Sequence, residues 1–225
     1  MPDDRNIVAI TREFKTNAGS NTLLRPRGES SLHRLFVALR PPPAMRRKLL
    51  DIMDGVDGAR WQDEDQLHVT LRYIGAVERP VAEDIALALQ GVHAPAFDLA
   101  LSGVGRFDTG ARGRALWAGV TPHDAVAALH RKIDHALVRL GLPPKGRAFL
   151  PHVTLARLHR TSGPVDGFLA RNAGLTSPPI RFDRMVLYES HLGHDGAWYE
   201  PVVRCPLSAV AASGRKLNES LSFRS

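Results

Sequence analysis

His68-Val69-Thr70-Leu71 recurs 84 residues later as His152-Val153-Thr154-Leu155. Val, Thr and Leu favour an extended, half-buried chain, so each copy reads as a short strand. Side chains alternate faces along a strand. Val69 and Leu71 therefore point one way, and His68 and Thr70 the other, roughly 6.5–7 Å apart along the strand. His152 and Thr154 repeat the arrangement. If the two strands lie side by side, two imidazoles and two hydroxyls face one cleft.

A recurring tetrapeptide is weak evidence alone. Its flanks add to it. The first copy runs on as Leu67-His-Val-Thr-Leu-Arg-Tyr-Ile-Gly75, a strand ending at glycine. The second is entered through Arg147-Ala-Phe-Leu-Pro-His152 and leaves through Ala156-Arg157. Both copies lie between helix-like segments, so the chain divides into two similar halves.

The 225 residues, 44% hydrophobic, suffice for one domain or two small lobes sharing an interface. No apolar run approaches the ~20 residues that cross a bilayer, and the first 15 residues lack a secretory core. We therefore expect a cytoplasmic protein without membrane contact, and a monomer. A lone cysteine, Cys205, rules out an intramolecular disulfide and reads as a buried, inert thiol. The net charge of +7 suits an anionic partner, nucleic acid first among them. The two ends carry +1 and +2 of this, and the residues between them +4. So mild a charge also serves simple solubility.

Residues 1–31 are polar and aperiodic and read as a disordered tail; 208–225 read as a second, C-terminal tail. Between them, 32–207 form the folded domain. Strands are expected at 33–40, 67–74, 97–104, 115–120, 149–158, 181–190 and 198–207. Helices are expected at 44–53, 78–92, 124–140 and, more weakly, 163–170. Loops are expected at 61–66, 106–114 and 191–196. This gives an α+β protein, a bilobal internal duplication. Two antiparallel sheets would flank a central cleft, with helices on the outside.

Two histidines facing one cleft suit general acid–base catalysis. Free imidazole has a pKa near 6.5, so one ring can be neutral and the other charged near pH 7. A phosphodiester needs a base for the attacking oxygen, an acid for the leaving oxygen, and donors for its non-bridging oxygens. Thr70 and Thr154 can donate there, and Arg157 offers a fork suited to phosphate. Arg157 lies three residues beyond Thr154, so a regular strand would turn it away; its role requires a bend or bulge. A single His-x-Thr on a strand is usually a packed or surface pair, and the case rests on the two copies together. Phe149 and Tyr188 can stack on a base or simply pack in the core. Arg72 and Arg147 can contact phosphates or remain solvated. His191-x-x-His194 with Asp195 falls short of the three or four ligands a zinc site needs. No Walker loop, Gly-x-Ser-x-Gly elbow or dinucleotide fingerprint is present. No metal or cofactor is expected.

These residues resemble the two-histidine (2H) phosphoesterases, whose mark is a pair of His-x-Thr-x motifs. The resemblance narrows through Arg34-Leu-Phe-Val-Ala-Leu39, Leu67–Gly75, Arg147–Arg157 and Val186-Leu-Tyr-Glu-Ser190. Together they are similar to the RNA 2′,3′-cyclic phosphodiesterase branch, also called 2′-5′ RNA ligases, over roughly 33–207. The resemblance implies metal-free hydrolysis of an RNA or nucleotide 2′,3′-cyclic phosphate to a 2′-phosphomonoester, and possible 2′-5′ ligation. His68 would be the proton donor to the 3′ leaving oxygen and His152 the base that activates water. Thr70, Thr154 and Arg157 would hold the phosphate. Arg72 departs from the family, where an apolar or small residue is expected. An RNA-binding module without turnover stays open at this point. So does a related esterase acting on cyclic ADP-ribose phosphate or 2′-5′ oligonucleotides.

Overall fold

A computed structural model describes residues 32–108, 114–146, 148–193 and 196–208. The tail at 1–31, all of the C-terminal tail but Ser208, and Arg147, His194 and Asp195 lie outside these residues, as does most of the 106–114 turn.

Among the described residues four helices and nine strands follow in order: β1 His33–Leu39, α1 Pro43–Leu50, β2 Ala59–Trp61, β3 Val69–Val77, α2 Arg79–Gln90 and β4 Phe97–Phe107. Then come β5 Ala115–Thr121, α3 His123–Arg139, β6 His152–Leu158, α4 Asp166–Asn172, β7 Ile180–Phe182, β8 Arg184–Gly193 and β9 Gly196–Pro206. Prolines at or beside the first turn start α1 and α2, where a missing N–H costs nothing. Leu129, Ile133 and Leu137 form the buried stripe of α3. Among the described residues no helix is long and apolar enough to cross a membrane.

The expected α+β class holds, but not two separate sheets. All strands join one antiparallel path, β7-β4-β5-β6-β3-β1-β8-β9, with β2 beside β6. The join at its centre is narrow. β3 and β6 pair through Val69 opposite Val153, and no other residues bridge them. On either side of that one pair the strands are joined by longer ladders.

Two β-bulges shape the centre. On β3, Arg72 and Thr70 face consecutive β1 residues, so Leu71 is the extra residue. On β6, Ala156 and Thr154 face consecutive β5 residues, so Leu155 is extra. The bulged residues occupy the same place in the two copies. A bulge removes a carbonyl from its ladder, and a buried carbonyl needs another donor. His130 Nδ1–H donates to Leu71 O at 2.7 Å, and Gln62 N–H donates to Leu155 O at 2.8 Å.

One face of the sheet carries the main core. Val37, Leu39, Val69, Leu71, Val153, Leu155 and Leu187 pack there with the apolar stripes of α2 and α3. α3 lies on β3 and α2, and α4 lies on β4. The opposite face of β1 and β8 carries Phe36, Ala38, Val186 and Tyr188 with Tyr199 of β9. The two histidines belong to this second face.

Arg72 is 2% exposed. The bulge at Leu71 turns it toward the core, as the bulge at Leu155 turns Ala156. There it meets Asp134 of α3 at 3.1 Å, and its Nη2 donates to Pro143 O at 2.5 Å. Its Nε has no hydrogen-bond partner among the described residues. Arg72 therefore ties β3 to α3 rather than reaching RNA from solvent. Removing one member of a buried ion pair strands the other. Asp134→Ala should lower unfolding free energy by about 3–5 kcal/mol. Arg72→Met with Asp134→Leu should recover most of it. Denaturant melts of the three proteins check this, and an Asp134→Ala midpoint equal to wild type would contradict it.

Candidate active site

His68 precedes β3 and His152 opens β6. With Val69 opposite Val153, His68 stands across from Thr154, and Thr70 across from His152. Diagonal neighbours on such a pair lie about 7–8 Å apart, which leaves room for a phosphate between the rings. His68 senses the charges of both His152 and Arg157. The structure thus brings both copies of the motif to one place.

Both rings are held alike. His68 Nδ1–H donates to Gln66 O at 2.6 Å, and His152 Nδ1–H donates to Leu150 O at 2.7 Å. In each case the acceptor is the carbonyl two residues upstream. A fixed Nδ1–H sets the tautomer of the neutral ring and leaves Nε2 as its basic nitrogen.

The bulge at Leu155 supplies the bend that Arg157 requires. Counting one extra residue, His152, Thr154 and Arg157 share a face. Arg157 lines a cavity of about 440 Å³ together with Thr70, Thr154 and His152. Tyr73 occupies the corresponding position after the first bulge and lines the same cavity, as do Phe149, His130 and Lys145. Phe149 is committed to His130, stacked at 4.2 Å between ring centroids and 3° between planes.

Aromatic rings flank each histidine, and the motif gave no sign of them. Phe36 and Tyr199 stand 4.9 and 5.3 Å from the His68 ring. Phe107 and Trp117 stand 5.0 and 6.1 Å from His152. Gly119, opposite His152 in the ladder, keeps this corner close-packed, because a Cβ there would collide with Ser102 O. Burial raises the Tyr199 hydroxyl above its ordinary value, against the opposing charges of Arg157 and Arg60. The alternation of β9 and the pairing of Ser190 with Tyr199 are visible only once strands are paired.

Burial between those rings dominates the electrostatics of His68. It outweighs the Gln66 carbonyl, and with the positive charges of Arg157 and His152 it lowers the pKa from 6.5 to about 4. The folded chain therefore binds this proton less well than the unfolded one. Stability from the neutral ring is whole above about 6.5 and is lost as pH falls toward 4.

His191 lies in β8, not in a turn, and stacks on Trp198 at 4.0 Å, with Glu200 at 3.4 Å. No cluster of three or more His, Cys, Asp or Glu side chains suited to a metal occurs among the described residues. Cys205 is buried, which pushes its thiol up to about 11. Tyr188 is buried against Phe36, stacked at 5.3 Å.

A titration of the free protein followed by histidine ring NMR should place His68 well below the ordinary 6.5, near 4. Adding a nucleoside 2′-phosphate should raise it, because the anion offsets Arg157. A value near 6.5 in the free protein would contradict the burial described.

The sequence model of the 2′-5′ RNA ligase superfamily matches residues 41–193. A Geobacillus stearothermophilus protein named RNA 2′,3′-cyclic phosphodiesterase is 30% identical over 170 residues, 73% of this chain and 53% of its own. The chain thus spans about half the length of that relative. A Thermotoga maritima protein of the same name is 25% identical, over 76% of this chain and 94% of its own. The crystal structure of Escherichia coli LigT complexed with 3′-AMP has the same fold. Its TM-score is 0.63 at 23% identity, covering 79% of this chain and 99% of LigT. With both histidine motifs inside the matched span, the chain belongs to the 2′-5′ RNA ligase superfamily.

Proposed function

We propose that this protein hydrolyses the 2′,3′-cyclic phosphate at an RNA or nucleotide end to a 2′-phosphomonoester. The observation that carries this reading is the pairing of Val69 with Val153, which sets two His-Val-Thr-Leu motifs side by side on neighbouring strands. The shared name of the curated relatives supports the substrate class. The repeated order strand–helix–strand–helix, at β1-α1-β3-α2 and β5-α3-β6-α4, supports an internal duplication.

In the proposed reaction His152 accepts a proton from water as the water oxygen bonds to phosphorus. The P–O3′ bond breaks, and its electron pair stays on O3′. His68 delivers the proton that makes O3′ a hydroxyl. Thr70 and Thr154 donate to non-bridging oxygens, and Arg157 pairs with the charge that builds on them. In the empty cleft His68 is neutral at pH 7, so it becomes the acid only when the substrate anion arrives and raises its pKa. Seating the substrate then also arms the leaving-group step. A 5′-hydroxyl entering in place of water would give a 2′-5′ linkage by the same route, in keeping with the superfamily's name.

Purified protein should convert a 2′,3′-cyclic nucleotide or RNA end to the 2′-phosphate with EDTA present, with a bell-shaped dependence of rate on pH. His68→Ala and His152→Ala should each lower kcat by about 10²–10⁴. A rate near wild type in either removes that residue from the mechanism. Intact cyclic ends after binding would instead favour an RNA-binding module. Parallel trials with cyclic ADP-ribose phosphate and 2′-5′ oligonucleotides separate the remaining substrates.

A further inference from the structure

A second cavity of about 440 Å³ lies beyond Phe36, on the same face of the sheet as His68. Two ring contacts lead to it: His68 to Phe36 at 4.9 Å, then Phe36 to Tyr188 at 5.3 Å. Tyr188 forms its near wall, and Arg40 bonds the Tyr188 hydroxyl. The other walls carry Arg46, Arg181, Arg184 and Arg204. Five guanidinium groups thus converge from α1, the end of β1, β7, β8 and β9.

Their partners leave them available. Arg40 pairs with Asp65, Arg181 with Asp98 at 3.5 Å, and Arg184 with Asp183 at 2.8 Å. Those three carboxylates are more than half exposed, and exposed pairs of this kind are weak and easily exchanged. Arg46 is more firmly placed, with Glu64 at 2.9 Å and Pro41 O at 2.7 Å. Arg204 pairs with no carboxylate among the described residues. Guanidinium forks lining a concave wall match the oxygens of a phosphate.

We propose that this arginine pocket is a second phosphate site, which holds a backbone phosphate of an RNA chain while the cyclic end lies between His68 and His152. The inference rests on the proposed hydrolysis and deepens it: the preferred substrate is an oligoribonucleotide, not a mononucleotide. Phe36 and Tyr188 are buried beneath the ground between the two phosphates, and half-buried Tyr199 is the ring of that cluster beside which a flanking base would lie.

The test compares a nucleoside 2′,3′-cyclic phosphate with an oligoribonucleotide ending in the same group, across a series of KCl concentrations. Wild type should favour the oligomer in kcat/KM, with an advantage that shrinks as salt rises. Arg204→Gln and Arg184→Gln should each cut the oligomer's kcat/KM by about tenfold, as expected for one lost charge-assisted contact. Both should leave mononucleotide turnover unchanged. Equal kcat/KM for the two substrates in wild type, or equal losses on both in the variants, overturns the proposal. If neither substrate turns over, the hydrolytic reading fails and the pocket is judged by binding. Fluorescence anisotropy of the same oligomer with a plain 3′-hydroxyl should then show weaker binding by the arginine variants. Unchanged affinity, or binding of an acidic peptide but no RNA, removes the site.

Discussion

One backbone pairing, Val69 against Val153, holds the two halves of the sheet in register. Slipping it by one residue would send every side chain on one strand to the opposite face. A slip of β3 would take Val69 out of the core and bring His68 into it, and a slip of β6 would do the same with Val153 and His152. The apolar cost of that slip is what pins the cleft. Each valine is fully buried, and burying such a side chain is worth about 1.5–3 kcal/mol. The same contact that closes the core therefore sets the spacing of the two histidine rings.

The two bulges are the second constraint. In a regular strand the residues after each motif would alternate, and Arg157 would point into the core. Leu71 and Leu155 absorb one residue each, bring Tyr73 and Arg157 to the cleft, and send Arg72 and Ala156 inward. Ala156 fits an apolar wall without help. Arg72 needs Asp134 and the Pro143 carbonyl. This explains how a long charged residue is tolerated where a small or apolar one was expected: its charge is met by α3 and by the Pro143 carbonyl.

Much of this was legible in the sequence. The four helices and the principal strands follow from apolar periods in segments such as 124–140, and the duplicated His-x-Thr marks the cleft. The need for a bulge before Arg157 followed from parity alone. What escaped depends on pairing between distant segments. Three-residue β2 has too few positions to show a period, and the 191–196 turn proved to be the end of β8 and the start of β9. Phe36, Trp117 and Tyr199 look like ordinary strand aromatics until the register sets them against the histidines. The arginine pocket draws its residues from five places in the chain, and no local window contains it. The single sheet was hidden for the same reason, since its halves meet at one residue pair.

The aromatic rings beside His68 do two things: they orient it, and they keep it neutral. In the proposed reaction a ring buried in this way leaves the empty cleft short of protons, and it turns acid only when substrate lies between both histidines. The direct measurement is a crystal structure of the protein with a nucleoside vanadate, a mimic of five-coordinate phosphorus. One vanadium centre held between His68 Nε2 and His152 Nε2, with Thr70 and Thr154 on its equatorial oxygens, is the expected result. Vanadate bound to one ring alone, or seated outside the cleft, would contradict a shared site.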